Sequence, residues 1–317
     1  MLMNQQQIDE MYMRRCLQLA RGGRQNAKPN PMVGAVIVWQ GQIIGEGYHV
    51  RCGEGHAEVN AFASVRPADE AKLRESTIYV SLEPCSHFGR TPPCADLIVS
   101  KGVRRVVVGC VDPFARVHGR GIQRLRDAGI EVTVGVLEQE CLALNSRFVT
   151  FNTHSRPYIL LKWAQTANGF LDNHFCPLQL STPFTQMLSH KLRAENGAIL
   201  VGRVTDEREH PQLNVRQWSG PDPERIVLSH ALPYDFSRPV LPQLMADLHA
   251  RGIQSLIVEG GAHTLQSFLE ADLWDEIRVE TAPQSVSGGT PSPRIPSCAV
   301  LQHQDDYDGN IIRWYRR

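Results

Sequence analysis

Residues 56–58 read His-Ala-Glu, and residues 84–94 read Pro-Cys-Ser-His-Phe-Gly-Arg-Thr-Pro-Pro-Cys. These two segments offer one imidazole, two thiols and a carboxylate that lies two residues from the imidazole. Imidazole and thiolate are ligands that zinc prefers, and three protein ligands with an open fourth position are typical of a catalytic zinc site. We therefore predict a zinc site formed by His56, Cys85 and Cys94.

Glu58 is the group that we expect to move protons at this site. Zinc lowers the pKa of a bound water to about 7, so that hydroxide is present at neutral pH. In zinc deaminases a glutamate next to the ligands acts as general acid and base without binding the metal. If His56 opens a helix, Glu58 projects from the same first turn at another angle, close to the metal but not bound to it.

The spacing of the two cysteines leaves other interpretations open. Cys94 follows Cys85 by nine positions, where the short form of the deaminase signature has three. The glycine and prolines between them predict a loop that must fold back to bring both sulfurs to one ion. A fourth ligand such as His87 would instead close a structural zinc site, and two unrelated buried thiols with a surface histidine are the plainest alternative.

The composition limits the classes of function. The chain has 317 residues, enough for two ordinary domains. Lys and Arg together number 33, as do Asp and Glu, which argues against general binding to nucleic acid or to a membrane. No apolar run approaches the roughly 18 residues of a membrane span, and the N-terminus lacks the pattern of a signal peptide. Eight irregularly spaced cysteines favour a reducing compartment, so we expect a soluble cytoplasmic protein.

The first half of the chain alternates helical and strand patterns. Apolar residues at helical spacing predict a helix from Ile8 to Ala20, and the runs 33–38 and 43–47 around Gly41 predict a hairpin. Further patterns predict, in order, a helix from His56, a strand at 78–82, a helix at 95–100, a strand at 105–110, a helix at 121–128 and a strand at 131–134. Such alternation predicts an α/β layered domain.

Several motifs of this half together resemble one family. They are Lys28-Pro29-Asn30-Pro31-x-Val33-Gly34, Gly47-Tyr48-His49, Gly55-His56-Ala57-Glu58-Val59-Asn60-Ala61, Glu83-Pro84-Cys85 with Pro93-Cys94, Asp112-Pro113, and Gly129-Ile130-Glu131-Val132. In this combination they resemble the bifunctional deaminase/reductase family of riboflavin biosynthesis, and the resemblance covers nearly the whole chain. It implies an α/β fold class, with a cytidine-deaminase-like three-layer domain at residues 1–152 and a dihydrofolate-reductase-like domain at residues 153–317.

The resemblance also implies a reaction and its participants. These are zinc-dependent hydrolytic deamination of a phosphoribosylated diaminopyrimidinone, and then reduction of its ribosyl group to ribityl by NADPH. The cofactors would be Zn²⁺ and NADPH, the partner a small phosphorylated pyrimidine, and the assembly a homo-oligomer. Asn30 and His49 would line the substrate pocket, although an asparagine between two prolines is also an ordinary turn former. Arg116 and His118 are candidates for a substrate phosphate, beside residues 112–115, where the family usually has Asn and Pro after Asp-Pro.

The second half is predicted to begin after a helix from Glu138 to Phe151 and a polar linker at 152–157. Strand patterns at 158–164, 198–202, 225–228 and 256–258 and helical patterns at 183–195, 244–250 and 264–270 follow. The resemblance implies that the substrate contacts are Arg193, Leu213, Arg216 and Glu259, and that the cofactor contacts are Ala164, Thr205, Glu209 and Gly261. A guanidinium such as that of Arg216 suits a phosphate because it binds two oxygens at once. For Arg193 the alternative is a solvated helix face.

A Gly-Gly pair after the strand at 256–258 is the strongest cofactor signal in this half. Gly260 and Gly261 precede a helix, and glycines there let backbone amides approach a pyrophosphate at the helix N-terminus. Alone the pair would be a weak motif, but in this order of elements it resembles the cofactor turn of the family.

Three departures from the family pattern lie in the reductase half. Glu209 stands where the family has an active-site Asp, and Asn168 replaces another Asp. After the strand at 225–228 the chain reaches its next helix almost at once, where the family usually has about two further strands. We therefore expect a shortened reductase domain with a weakened site for the adenosine end of NADPH.

Four functions are compatible with these observations. The first is the bifunctional enzyme, and the second is a deaminase whose degenerate reductase-like domain serves assembly or substrate holding. The third, a deaminase of a nucleoside or of RNA, is disfavoured by the balanced charge and by the reductase-like half. The fourth, a zinc-stabilised binding module, is disfavoured by Glu58 beside His56.

Overall fold

The computed structural model describes residues 3–88, 92–114 and 117–317. The chain divides into two units between His154 and Ser155. The domain boundary predicted at residue 152 falls inside the last helix of the first unit, which continues through His154 in place of the expected polar linker. No helix in the described ranges is both long and apolar enough to cross a membrane.

The first unit is built on a five-stranded sheet. Its strands are β1 (Gly34–Trp39), β2 (Gln42–Tyr48), β3 (Thr77–Leu82), β4 (Arg105–Cys110) and β5 (Glu131–Val134). Their spatial order is β2-β1-β3-β4-β5. Strand β1 is antiparallel to β2 and β3, so the expected hairpin is present, whereas β3, β4 and β5 run parallel. The parallel strands therefore end at one edge of the sheet, where the metal-ligand motif begins.

The described residues of this unit form six α-helices. They are α1 (Gln5–Ala20), α2 (Ala57–Ala63), α3 (Cys94–Lys101), α4 (Arg120–Asp127), α5 (Glu138–Leu144) and α6 (Ser146–His154). On one face Val106 and Val108 of β4 join a core with Ile98 and Leu125 from α3 and α4. On the other face Val107 packs with residues of α1 and α5. The predicted three-layer α/β arrangement is confirmed.

Two boundaries in this unit differ from the predictions for identifiable reasons. Helix α1 begins at Gln5 and not at Ile8, because Asn4 and Gln7 form a reciprocal capping box. The helix predicted from Glu138 to Phe151 is two helices, with the break at Asn145. The Asn145 side chain accepts from the backbone N–H of Met32 at 2.8 Å and donates to its carbonyl at 2.9 Å. A tertiary contact thus interrupts a helical pattern.

The second unit is a seven-stranded sheet in the order β11-β12-β10-β6-β9-β7-β8. Its strands are β6 (Tyr158–Gln165), β7 (Ala198–Gly202), β8 (Glu224–Leu228), β9 (Ser255–Val258), β10 (Glu276–Thr281), β11 (Val300–Tyr307) and β12 (Asn310–Arg316). Strands β6 to β10 run parallel, and the β11–β12 hairpin adds antiparallel to β10. Between Leu228 and Val240 the chain has no strand.

Four helices belong to this unit, and they are α7 (Pro183–Glu195), α8 (Arg203–Glu209), α9 (Val240–Ala250) and α10 (Ala262–Glu270). The predicted bounds of α7 agree with the structure, whereas α9 and α10 begin earlier than predicted. Helix α8 and strands β10 to β12 were not predicted. One face of the sheet packs with α9 and α10, and Leu192 of α7 packs on the other.

Candidate functional site

The three predicted zinc ligands come from three different elements of the first unit and meet in space. His56 is the N-cap of α2, Cys85 follows β3, and Cys94 is the first residue of α3. His56 Nδ1 lies 3.6 Å from Cys85 Sγ and 3.3 Å from Cys94 Sγ. Tetrahedral zinc with these ligands holds its donor atoms roughly 3.5–3.8 Å apart. The donor set and its spacing therefore fit zinc.

The loop between the cysteines is closed by contacts at its two ends. The backbone N–H of Cys94 points to Cys85 Sγ at 3.3 Å, and Ala95 N–H donates to the Cys85 carbonyl at 3.1 Å. The start of α3 is thereby docked on Cys85. His87, the candidate fourth ligand, is exposed and packs edge-on against Phe114. Among the residues that the structure describes, the group of possible metal ligands consists of His56, Cys85 and Cys94, without His87.

The two thiols shift each other's pKa in opposite directions. The Cys94 thiol donates to Cys85, which lowers the pKa of Cys85 to about 4, and the nearby His56 acts in the same direction. The same hydrogen bond and burial raise the pKa of Cys94. Zinc binds thiolates and replaces their protons.

Glu58 lies in the first turn of α2 and is only 3% exposed. Burial, with a further effect of the Cys85 thiolate, raises its pKa to about 7. Its carboxyl group also forms a hydrogen bond with the Cys94 thiol. Glu58 is therefore next to the ligands without being one of them, in the arrangement that the sequence predicts.

Asn30 and His49 form a hydrogen-bonded pair beside the ligand His56. His49 Nδ1 lies 3.1 Å from the Gly55 carbonyl, which can only accept, so this nitrogen carries the proton. His49 Nε2 then accepts from Asn30 Nδ2 at 3.0 Å. Burial lowers the pKa of His49, which favours this neutral tautomer. The Asn30 carbonyl oxygen is consequently turned away from His49, and the His49 ring meets the His56 ring at 5.3 Å.

The phosphate candidates of this unit are less well supported. Arg116 lies outside the described residues. His118 is exposed, and its Nδ1 is 3.2 Å from the Asp112 carbonyl.

Sequence reasoning singled out no role for Glu83, although it stands directly before Pro84-Cys85. Its buried carboxylate accepts from four backbone N–H groups, those of Asp112, Gly119, Gly121 and Ile122. These bonds hold the segment after β4 and the start of α4 against the turn that carries the ligand Cys85. An acidic residue at a strand end, before a proline, was the available signal.

The second unit contains a cavity of about 770 Å³ at the carboxyl ends of its parallel strands. Seven of the predicted reductase residues line it, namely Ala164, Arg193, Thr205, Glu209, Leu213, Glu259 and Gly261. Arg216 does not: it is exposed, and its guanidinium donates to Asn214 Oδ1 at 3.0 Å. Its position after the irregular segment that follows α8 turns it away from the cavity.

A buried ion cluster forms one side of this cavity. Arg193 donates to both oxygens of Glu259, at 3.0 and 2.7 Å, and Lys162 Nζ lies 3.8 Å from the same carboxylate. Burial would raise the pKa of Glu259, but the charge of Lys162 and the bonds from Arg193 lower it to about 2. Burial also lowers the pKa of Lys162. Arg193 is thus held in the site and does not lie on a solvated face. No role was predicted for Lys162 from the sequence, although it lies two residues before the predicted cofactor contact Ala164.

The Gly-Gly turn has the features that a bound dinucleotide phosphate requires. Gly261 is the N-cap of α10 with a positive φ of 70°, which favours glycine. A Cβ on Gly260 would lie 2.9 Å from the side chain of Val201, and one on Gly202 would lie 2.3 Å from Thr264 Oγ1. The glycines allow the strand ends and the start of α10 to pack closely, which places a helix N-terminus at the cavity, so the residues present fit NADPH.

The two replaced acidic positions differ in their relation to the cavity. Asn168 donates to the Val286 carbonyl at 2.7 Å and accepts from Thr166 Oγ1 at 2.9 Å, so its amide stabilises a turn. It is not among the residues that line the cavity. Glu209, the last residue of α8, does line it.

Comparison with known proteins agrees with both sites. Residues 6–110 match the cytidine and deoxycytidylate deaminase zinc-binding region, and residues 157–297 match the RibD C-terminal domain. The riboflavin biosynthesis protein RibD of Aquifex aeolicus is 40% identical over 89% of this chain and 89% of its own length. The chain belongs to the RibD family.

Solved structures of the RibD family extend this agreement to the whole fold. The structure of Acinetobacter baumannii RibD has a TM-score of 0.88 at 30% identity and covers 98% of this chain and 99% of its own. A second one, from Thermotoga maritima, has a TM-score of 0.87 at 30% identity, with 99% of each chain covered. Its name describes a diaminohydroxyphosphoribosylaminopyrimidine deaminase and 5-amino-6-(5-phosphoribosylamino)uracil reductase.

Family membership confirms the main predictions from the sequence. The chain is a bifunctional enzyme of riboflavin biosynthesis with a deaminase domain and a RibD-type reductase domain. Zinc and NADPH are the cofactors that these two domains use. The roles of individual residues remain predictions.

Replacement of one thiolate provides a direct test of the metal site. In Cys94→Ala we expect zinc to be lost, because an imidazole and a single thiolate leave two coordination positions without protein ligands. Metal analysis of the purified variant measures the zinc content. Cys176→Ala, which removes an exposed cysteine of the second unit, should retain one zinc per chain. Full zinc occupancy in Cys94→Ala would disprove the ligand assignment.

Proposed function

We propose that the first unit deaminates 2,5-diamino-6-(5-phosphoribosylamino)pyrimidin-4(3H)-one and that the second reduces the ribosyl group of the product to ribityl. The observation that carries the proposal is the presence, in one chain, of two complementary sites. One is a buried carboxylate beside a His-Cys-Cys ligand group. The other is a cavity with a Gly-Gly turn and a buried ion cluster.

The deamination step assigns a task to each polar residue of the first site. Zinc supplies a water that is reactive at neutral pH. Glu58 takes a proton from this water and delivers protons to the ring nitrogen and to the departing amino group. The carbon–nitrogen bond breaks, ammonia leaves, and the oxygen of water becomes the new carbonyl oxygen. Asn30 orients the ring, because its carbonyl oxygen accepts from a substrate N–H while His49 holds its amide nitrogen.

The reduction step uses the residues that line the cavity. NADPH supplies the hydride. The backbone at Gly260 and Gly261 binds a cofactor phosphate, while Arg193 and Lys162 contact the anionic, hydroxyl-rich substrate. Lys162 Nζ is buried, and burial lowers its pKa. It is therefore suited to donate a proton to the oxygen or nitrogen atom that is bonded to the carbon receiving the hydride.

Charge and cysteine content support proposals for the substrate class and for the location of the protein. Equal numbers of acidic and basic residues support a small phosphorylated pyrimidine as the substrate in place of a nucleic acid. Free thiols in the ligand group and in both units support a reducing, cytoplasmic location. A homo-oligomer is the assembly that we propose.

The alternative of a deaminase with a degenerate second domain has little support from the altered positions. Asn168 acts in a turn away from the cavity. Glu209 keeps the negative charge of the Asp that it replaces. A well-formed cavity with its ion cluster supports retained reduction.

The deaminase assignment is tested by Glu58→Gln. This variant removes the proton acceptor and keeps the shape, so we expect zinc and fold to be retained and deamination to fall by about 10²–10⁴-fold. The measurement is ammonia release from the diaminopyrimidine substrate. As a control, the same preparation should reduce added deaminated substrate at the rate of the unaltered chain. Deamination within a few-fold of the unaltered chain would assign the proton transfers to another group.

The reductase assignment leads to a prediction about the affinity for NADPH. The connection between Leu228 and Val240 contains no strand, and only Ser229, His230 and Phe236 of its described residues line the cavity, so we expect a reduced surface for the adenosine end of the cofactor. We expect a dissociation constant weaker than about 10 µM, a binding free energy of less than roughly 7 kcal/mol, as measured by calorimetry. Glu209→Asp should preserve or improve reduction, because it restores the shorter carboxylate. Low-micromolar or tighter binding would contradict the structural basis, and no binding at millimolar cofactor would favour the deaminase-only alternative.

A further inference from the structure

Glu280 is a fully buried carboxylate in the reductase unit to which the proposed reaction assigns no part. It lies on β10 and is 0% exposed. Residue 280 pairs in register with Ala164 of β6, which lines the cavity. Glu280 itself is not among the lining residues, so it stands next to the ligand site without entering it.

Three neutral side chains donate to this carboxylate from three different parts of the unit. Thr185, in the first turn of α7, donates to Oε1 at 2.6 Å, and Asn310, the first residue of β12, donates to the same oxygen at 2.7 Å. Ser181 donates to Oε2 at 3.1 Å. Asn310 also donates to the Leu180 carbonyl at 2.8 Å. Glu280 and Asn310 thus join a strand pair of the sheet to the chain before α7.

The cation whose ion pair with Glu280 the structure records, Arg278, is farther from the carboxylate than the neutral donors are. Arg278 is 1% exposed, and its Nη1 lies 3.6 Å from Glu280 Oε2, beyond hydrogen-bond distance. The neutral bonds from Thr185 and Asn310 are about 1 Å shorter. The carboxylate is therefore oriented by the hydroxyl and amide donors, and Arg278 supplies compensating charge at a distance.

The chain held in this way is a wall of the cavity. The wall segment, residues 177–182, has no regular secondary structure, so strand or helix hydrogen bonds do not hold it in place. Four of its residues line the cavity, and they are Leu178, Gln179, Leu180 and Ser181. Helix α7 follows at once and carries Arg193 into the ion cluster with Glu259. Side-chain bonds to Glu280 and Asn310 therefore contribute to the position of both features.

We propose that Glu280 is a positioning residue of the reductase site, which holds the wall segment and the start of α7 against the sheet. The inference rests on the proposed reduction, because it assigns Glu280 a task in that same site. It acts through hydrogen bonds: a glutamine could accept from Thr185 and Asn310 with its carbonyl and donate to Ser181 Oγ with its amide. Alanine could do neither.

Three variants separate this role from a general contribution to folding. In Glu280→Ala we expect KM for the deaminated substrate to rise about tenfold or more, with a smaller change in kcat, because the wall no longer holds the substrate. Thr185→Val, nearly isosteric and outside the cavity lining, should raise KM in the same direction by a few-fold. Glu280→Gln should stay within about threefold of the unaltered chain. Ser189→Ala is the matched control, since this buried hydroxyl on α7 donates to the Thr185 carbonyl at 3.2 Å and has no recorded bond to Glu280 among the described residues.

Deamination by the first unit serves as an internal control and should be unchanged in all variants. Hydrogen–deuterium exchange of the amides at the start of α7, where Gln186 N–H donates to the carbonyl of Thr182 in the wall segment at 2.9 Å, gives a second readout that is independent of activity. It should accelerate by about tenfold in Glu280→Ala and Thr185→Val, and remain slow in Glu280→Gln and Ser189→Ala.

The inference would be overturned by unchanged exchange and KM in Glu280→Ala and Thr185→Val. An equal loss in Glu280→Gln and Glu280→Ala would also overturn it, because lost charge beside Arg278 would then be the cause. If the unaltered chain fails to oxidise NADPH with the deaminated substrate, the proposed reduction fails. The exchange measurement still decides in that case whether Glu280 holds the wall segment.

Discussion

Parallel strands that end at one edge of a sheet are the constraint on which both sites depend. In the first unit, β3 and β4 run parallel, so the chain leaves β3 at Cys85 close to where it leaves β4. The carboxylate of Glu83, just after β3, accepts from four backbone N–H groups of the chain that follows β4, and so links the ends of the two strands. In the second unit, β6, β7 and β9 end together and bring Ala164, Thr205 and Gly261 to one cavity. Ligand sites at this edge are a general property of such sheets.

Buried charge distinguishes the second unit from an ordinary core. Lys162, Arg193 and Arg278 are cations with little exposure, while Glu259 and Glu280 are the carboxylates beside them. Taking such ions out of water costs several kcal/mol each, and removal of one partner from a buried pair typically costs about 3–5 kcal/mol. The cluster therefore does not add stability in the way that apolar packing would. Lys162 and Arg193 of this cluster line the cavity, where their positive charge is suited to an anionic ligand.

Residues whose roles depend on local chemistry were predictable from the sequence. His56, Glu58, Cys85 and Cys94 have side chains whose type and spacing imply the site, and the helix predicted at 183–195 has the bounds of α7. Residues whose roles depend on distant partners were not predictable. Asn145 breaks a helical pattern because it bonds to Met32 in another part of the chain. Lys162 and Glu280 look like ordinary strand residues until β6 and β10 are paired. Arg216 has the right chemistry for a phosphate, but its backbone position turns it to solvent.

Product analysis of the purified chain is the most direct measurement of the two linked activities. The chain would be given the diaminopyrimidine ribosyl phosphate and zinc, first without and then with NADPH, and the products identified by mass spectrometry. We expect ammonia and the deaminated ribosyl compound to accumulate without NADPH. With NADPH we expect the deaminated ribityl compound, with one NADPH oxidised for each molecule formed. Unchanged substrate in both reactions, or a ribosyl product that persists at saturating NADPH, would contradict a bifunctional enzyme.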